Sequence, residues 1–315
     1  MQARALVLTA GLGTRLRPLT CVRAKGAVPV NGEPLVCRII NALVGHGVFD
    51  LVLNLHHKPE TLAARVGDGS ALGARVRYSW EQPVLGSAGG PRHALGLLSD
   101  PFLIVNGDTL TSVNLDLLAD SHAQSGADVT MAVIPNPRPD KYGGVLVSGD
   151  GWVTGFTRPD PSVASFHFIG VQLAAMRVFA DLEDGVPAES VVALYPRLIQ
   201  TNPRAVRAFV SNASFQDIGT AEDYLRTSLA LAAAEGDRMA AGAAVRVGES
   251  AHLSRTAVWD DVTIGDGASL VDCIVADGAR VPAGAVYQRS VIVPAGSCEP
   301  KANHRLEGDL LIAPF

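Results

Sequence analysis

In LTAGLGTRLRPLTCVRAKGAVPV (residues 8–30) an apolar run breaks on Gly11 and Gly13, then meets Arg15 and Arg17, with Lys25 ten residues beyond Arg15. The run itself, RALVLTA (4–10), is short, apolar and bounded by glycine, as a buried strand is. A dinucleotide fingerprint, G-x-G-x-x-G, needs a third glycine where Leu16 stands. A Walker loop needs Gly-Lys-Ser/Thr at a spacing that is also missing. Two readings of the residues stay open. Glycines let backbone N–H groups approach a polyphosphate while Arg15 adds a two-pronged donor; a tight turn carrying a surface arginine would look the same.

Outward from that loop the chain alternates. Helical spacing of Leu35, Val36, Ile39, Ile40 and Leu43 predicts a helix within EPLVCRIINALVGHG (33–47). Strand-like DLVLNLH (50–56), helical KPETLAARV (58–66), strand-like ARVRYSWE (74–81) and a helix around 89–98 follow. PFLIVNGD (101–108), LDLLADSHAQSG (115–126) and DVTMAVI (128–134) continue the rhythm of strand, helix, strand. Such alternation predicts an α/β fold, a Rossmann-like, mostly parallel mixed sheet with helices on both faces. Ligands of such sheets lie beyond the carboxyl ends of the strands, where TAGLGTR and VNGDTL fall. YGGVLVSGDGWVTGF (142–156) reads as a hairpin around Gly-Asp-Gly, and TAEDYLRTSLALAAAEG (220–236) as a long helix capped by Thr220.

Past a junction at 240–250 the helical period vanishes. Ile264 and Leu270, then Val275, Val281 and Tyr287, recur six apart, and Gly278 and Gly284 do likewise. That period predicts a small left-handed parallel β-helix of hexapeptide repeats. The expected domains are therefore residues 1–238 and 239–315.

Of 315 residues, 48% are hydrophobic and 18% charged, which supports a sizeable core. A net charge of −5 and a pI near 5.9 lack the basic footprint of a nucleic-acid binder. A local Arg/Lys cluster can still hold an anion. Cys21, Cys37, Cys273 and Cys298 show no C-x-x-C spacing and read as idle thiols of a reducing compartment. No signal-peptide pattern or membrane-length apolar stretch is visible, so the expected place is the cytoplasm.

The opening segment resembles the signature of the sugar-nucleotide pyrophosphorylases, G-x-G-T-R-L-x-P-x-T-x4-K-x3-PV. Gly11, Gly13, Thr14, Arg15, Leu16, Pro18, Thr20, Lys25, Pro29 and Val30 fill its positions. The resemblance, closest to mannose-1-phosphate guanylyltransferase-like members with a C-terminal β-helix, implies the roles that follow. Arg15 and Lys25 grip the nucleotide phosphates as catalytic cations, and the backbone of Leu8, Ala10, Gly11, Gly13 and Thr14 lies along the nucleotide. EQPVLGSAGGPRHAL (81–95) resembles the segment wrapping the base, which implies Glu81 and Gly86 as base-site residues. FLIVNGDTL and FQDIGTAEDYL resemble the metal elements, implying Asp108 and Asp217 as Mg2+ ligands and Asn106 facing the substrates. YGGVLV, GFTRPD and FHFIGVQ resemble the sugar side, implying Gly143, Arg158 and Gly170 as sugar-phosphate residues.

Three departures stand out. Ala24 replaces the proline usual before the signature lysine, Arg158 replaces a lysine, and His167 stands where a small polar residue is common. Arginine keeps the charge but widens the donor geometry. The implied reaction joins a nucleoside triphosphate and a sugar-1-phosphate into a sugar nucleotide and pyrophosphate with Mg2+, in a homo-oligomer associated through the repeats, with no nucleic-acid or membrane partner. UTP- or dTTP-dependent transfer to glucose-1-phosphate or N-acetylmuramate-1-phosphate is the alternative. A non-catalytic sugar-nucleotide-binding paralogue and an acyltransferase built on the repeats are the other readings.

Overall fold

The opening apolar run becomes a strand sealed from water: Ala5, Leu6 and Val7 are 0% exposed. In the computed structural model, which describes residues 3–236 and 240–315, the chain forms two compact units interleaved in sequence. The first takes the chain up to Gly11, Ile39–His57 and Val66–Phe215. The second takes Leu12–Arg38, Lys58–Arg65 and Gln216–Phe315.

The first unit is built on a nine-stranded mixed sheet. Its strands are β1 (Ala5–Leu8), β2 (Asp50–Leu55), β3 (Arg75–Trp80), β4 (Phe102–Asn106), β5 (Val129–Pro135), β6 (Gly144–Val147), β7 (Val153–Thr157), β8 (Phe166–Ala174) and β9 (Val206–Val210). The parallel core runs β3-β2-β1-β4, with Leu6 paired to both Val52 and Ile104. Strands of such a core are covered on both faces, hence the unbroken apolar runs ALVL and FLIV. β8 joins β4 antiparallel and β5 extends the sheet through β9, while β6 and β7 form the expected hairpin. Leu6, Phe102, Ile104, Met131, Phe179 and Tyr195 are among the buried core residues. The helix foreseen around 89–98 begins earlier, at Gly86, runs to Ala94 and tightens into a 3-10 turn over Leu95–Leu97. Pro91 falls five residues into it.

In the second unit, helix Ala221–Glu235 starts on Thr220, whose hydroxyl accepts the Asp223 N–H at 3.2 Å. Beyond it the chain returns to the same sheet every 17 residues. Ala257 pairs with Ile274 and Ile274 with Val291, Thr263 pairs with Arg280, and Ser269 with Val286, all parallel. The strands form three short sheets with parallel pairing from one repeat to the next, and Ile264, Leu270, Val275, Val281 and Tyr287 all point inward, at most 5% exposed. The step is one residue short of three hexapeptides, which is why Leu270 and Val275 are only five apart. An antiparallel strand, Leu310–Pro314, closes the last coil against Ser290–Pro294.

The cysteine expectation needs one correction. Cys21 and Cys298 are joined as a disulfide, their Cα atoms 5.5 Å apart across 277 positions. Helix Leu19–Val22 packs on strand Ser290–Pro294, which brings the two together; no sequence spacing records such a contact. Cys37 and Cys273 remain free and buried, and burial pushes both thiols up to about 11. Among the described residues no helix is long and apolar enough to cross a membrane.

Candidate active site

In the first unit the carboxyl end of β1 is tied down by a side chain that sequence motifs do not mark. Asn54, near the end of β2, accepts the Thr9 N–H at 2.5 Å and the Ala10 N–H at 3.3 Å on its Oδ1. Its amide donates to Glu81 Oε1 at 2.7 Å, and Glu81 Oε2 accepts the Leu85 N–H at 2.8 Å. Glu81, 4% exposed, thus holds the loop that opens helix Gly86–Ala94. Gly86 lies against the Ala188 carbonyl and the Glu189 carboxylate, and Glu189 also accepts the Ser87 hydroxyl at 2.6 Å. Glu189 escaped the sequence reading; for Asn54 the signal was a polar residue near the end of an otherwise apolar strand. Replacing Asn54 with Ala strands a buried carboxylate oxygen and two N–H groups, each worth about 1–3 kcal/mol. We expect Asn54→Ala to lower the melting temperature clearly in calorimetry; an unchanged melting point would remove this web as a support of the loop.

Further along the sheet Asp108 sits half-buried just past β4, its Oδ1 accepting the Thr109 hydroxyl at 3.2 Å. The preceding Gly107 presses on the Leu8 carbonyl so closely that a Cβ there would collide with it. The Gly-Asp pair therefore places Asp108 beside the end of β1, next to the backbone of Leu8. Asn106, the last residue of β4, packs against Gly170, where φ is +79° and a Cβ would lie 2.8 Å from that of Asn106. Those two predicted residues meet. Gly143 and Arg158, both exposed, meet elsewhere, in an open cavity of about 840 Å3 lined also by Phe156, Thr157, His167 and Val192. Its size is that of a small-ligand cleft. Neither Asn106 nor Gly170 lines it. His167 forms a three-ring cluster with Tyr142 and Phe215, tilted against Tyr142 at 4.5 Å and edge-on to Phe215 at 4.6 Å between ring centroids. Burial pushes its pKa down against the opposing Gly143 carbonyl, so the ring is neutral at pH 7, and its buried Nδ1 has no protein partner.

In the second unit the signature loop folds on itself. The Thr20 hydroxyl donates to the Gly13 carbonyl at 2.9 Å, and a Cβ on Gly13 would touch that of Lys25 at 3.4 Å. Thr14 and Arg15 stand exposed on the 3-10 turn Thr14–Leu16, held by Leu16, which is 0% exposed. Gly11, the last residue assigned to the first unit, has open space where a Cβ would go. At Gly219 a Cβ would lie 3.0 Å from both Asp217 oxygens and 3.2 Å from Arg15 Nη1. Only glycine lets a carboxylate and a guanidinium close over the same backbone atom, so FQDIG delivers Asp217 beside Arg15 from the far end of the chain. A hard divalent cation takes oxygen donors and needs only one or two carboxylates from the protein. Asp108 and Asp217 are of that donor class, and the Gly219 cradle keeps the Asp217 carboxylate at the loop rather than in the core.

The model of the nucleotidyl transferase family matches residues 4–234. A mannose-1-phosphate guanylyltransferase of Mycobacterium tuberculosis is 30% identical over 302 residues, covering 91% of this chain and 84% of that protein. A UTP--glucose-1-phosphate uridylyltransferase of Synechocystis is 23% identical, with 92% and 84% covered. The fold is similar to that of HddC from Yersinia pseudotuberculosis complexed with GMP-PN, at a TM-score of 0.62 and 21% identity over 73% of this chain and all of that one. A Gly-Asp turn beside the end of β1, a signature loop that brings Arg15 to Asp217 and a family match across both segments lead to one assignment: the chain belongs to the nucleotidyl transferase family and is a nucleotidyltransferase.

Proposed function

We propose that this protein transfers a nucleotidyl group from a nucleoside triphosphate to a sugar-1-phosphate, with GTP and mannose-1-phosphate as its preferred pair. The observation that carries the reading is the convergence of Arg15 and Asp217 over Gly219, which sets a cation of the signature loop beside a carboxylate. The preference rests on the Mycobacterium tuberculosis relative, matched over 91% of this chain.

A phosphate oxygen of the sugar-1-phosphate attacks the α-phosphorus, the bond from that phosphorus to the β-phosphate oxygen breaks, and pyrophosphate leaves. The nucleophile is already ionised at neutral pH, so no side chain has to take a proton. What remains for the chain is to hold the partners in line and to neutralise charge on the leaving group. Arg15 and Lys25 meet the triphosphate and the departing pyrophosphate. The backbone from Leu8 through Gly13 and Thr14 offers its N–H groups, and the Glu81–Asn54 web with Gly86 shapes the base loop. Gly143 and Arg158 in the cavity, and Asn106 against Gly170, receive the sugar phosphate. Asp108 and Asp217 are the residues that would hold Mg2+, which when bound polarises the α-phosphate. Nucleotide supply places the enzyme in the cytoplasm, and the C-terminal repeats are the face through which copies associate.

The test is pyrophosphate release from GTP, UTP, dTTP, CTP and ATP, each with mannose-, glucose- and N-acetylmuramate-1-phosphate, in the presence of Mg2+. GTP with mannose-1-phosphate is expected to give the highest kcat/KM. Faster release with UTP and glucose-1-phosphate would shift the assignment toward the activity named for the Synechocystis relative. No release from any pair would remove the reading.

A further inference from the structure

The signature loop does not stand alone: between Arg15 and Lys25 it puts down a buried anchor in the C-terminal repeats. Arg23, 5% exposed, spends its guanidinium on two aspartates of successive coils. Its Nε and Nη2 fork onto Asp277, the second bond at 2.6 Å, and Nη2 also reaches Asp260 at 2.7 Å. Both carboxylates are also held by partners other than Arg23. Asp277 Oδ1 accepts the Asp260 N–H at 3.1 Å, Asp260 Oδ1 accepts the Ala243 N–H at 2.8 Å, and Arg65 pairs with Asp260 at 2.7 Å. The flat face of the guanidinium lies over Trp259, 5.6 Å from the ring centre. Trp259 in turn donates to the Tyr224 hydroxyl, and that hydroxyl donates to the Pro29 carbonyl, both at 2.7 Å. Lys25 is thus bracketed, with Arg23 tied down two residues before it and Pro29 four residues after it.

Stability alone does not call for this arrangement. A buried ion pair repays its desolvation only with good geometry, and well-packed apolar residues of similar volume often hold a fold as well. What a forked, stacked arginine adds is direction, because a planar guanidinium bonded along two edges has one orientation. We propose that Arg23 is a positioning residue, and that the C-terminal repeats, through Asp277, Asp260 and Trp259, form the frame that sets Lys25 and its loop for the triphosphate. The inference rests on the nucleotidyltransferase reading above and assigns the repeats a part in nucleotide recognition in addition to association.

The experiment exchanges the pair for neutral residues, Arg23→Met with Asp277→Asn, so that no buried charge is stranded, and adds Arg23→Lys, which keeps the charge but loses the fork. Arg255→Met with Asp272→Asn serves as control: it removes another inter-coil pair of the repeats, bonded at 2.6 Å and exposed at its arginine, with no link to the loop. A misplacement of about 1 Å can cost on the order of 10²-fold in rate. The full-length Arg23 variants are expected to lose roughly 10- to 100-fold in kcat/KM for the nucleotide, with KM for the sugar phosphate unmoved and the control equal to wild type. Unchanged nucleotide kinetics in both Arg23 variants would overturn the proposal. So would equal losses toward both substrates, or a loss shared by the control. Absence of turnover in the wild type would instead strike the underlying reading, so the two failures are separable.

Discussion

Asp108→Asn is expected to cut kcat by about 10²–10³, the usual cost of removing one charge-stabilising group from a preorganised site, while leaving the protein folded. The fold tolerates the change because asparagine keeps the shape of the side chain and an acceptor oxygen. Asp108 is half-buried, and the Thr109 hydroxyl that donates to Oδ1 can donate to an asparagine oxygen as well. The tight packing belongs to Gly107, against the Leu8 carbonyl. Asparagine removes only the negative charge on which a hard cation depends. The assay is steady-state pyrophosphate release across a Mg2+ titration. The variant should need far more Mg2+ for any residual turnover, and near-normal turnover at wild-type Mg2+ would end the metal assignment of Asp108.

Arg15→Ala is expected to reduce kcat by a similar factor of about 10²–10³ for a different reason. Arg15 is exposed, so it adds little to the core, and Leu16 carries the burial of the turn. Its guanidinium stands over Gly219 beside Asp217. Losing it leaves the leaving pyrophosphate with one cation fewer. In the reverse direction KM for pyrophosphate should rise more than KM for the sugar nucleotide. Arg15→Lys should recover part of the loss, since it restores a point charge without the fork. Equal losses toward both reverse substrates would show that Arg15 holds the loop and does not serve the pyrophosphate.

Much of this molecule is legible along the chain because the deciding features are local. The apolar runs at residues 5–8 and 102–105 mark strands covered on both faces. The helical spacing of Leu35, Val36, Ile39, Ile40 and Leu43 buries all five. Gly-Asp-Gly turns the β6–β7 hairpin, and the near-six-residue period of the tail points Ile264 through Tyr287 inward. In each case the residue's own neighbours set the dihedral angle or the face to be buried. The start of helix Gly86–Ala94 was less legible, because Gly86 and Gly89 advertise a loop. Ala188 settles the matter by accepting the Ala88 and Gly89 N–H groups at the helix start.

By itself the sequence determines the α/β rhythm, the repeat tail and the order of the signature residues, all of which are properties of short stretches. The tertiary structure alone decides that Asp217 meets Arg15 over Gly219, that Asn54 braces Thr9, Ala10 and Glu81, and that Arg23 reaches Asp260 and Asp277. Those contacts join residues with no common local period. They form only where burial of the sheet and of the coils has already been fixed, because a buried polar group must find its partner in whatever packing brings within bonding distance.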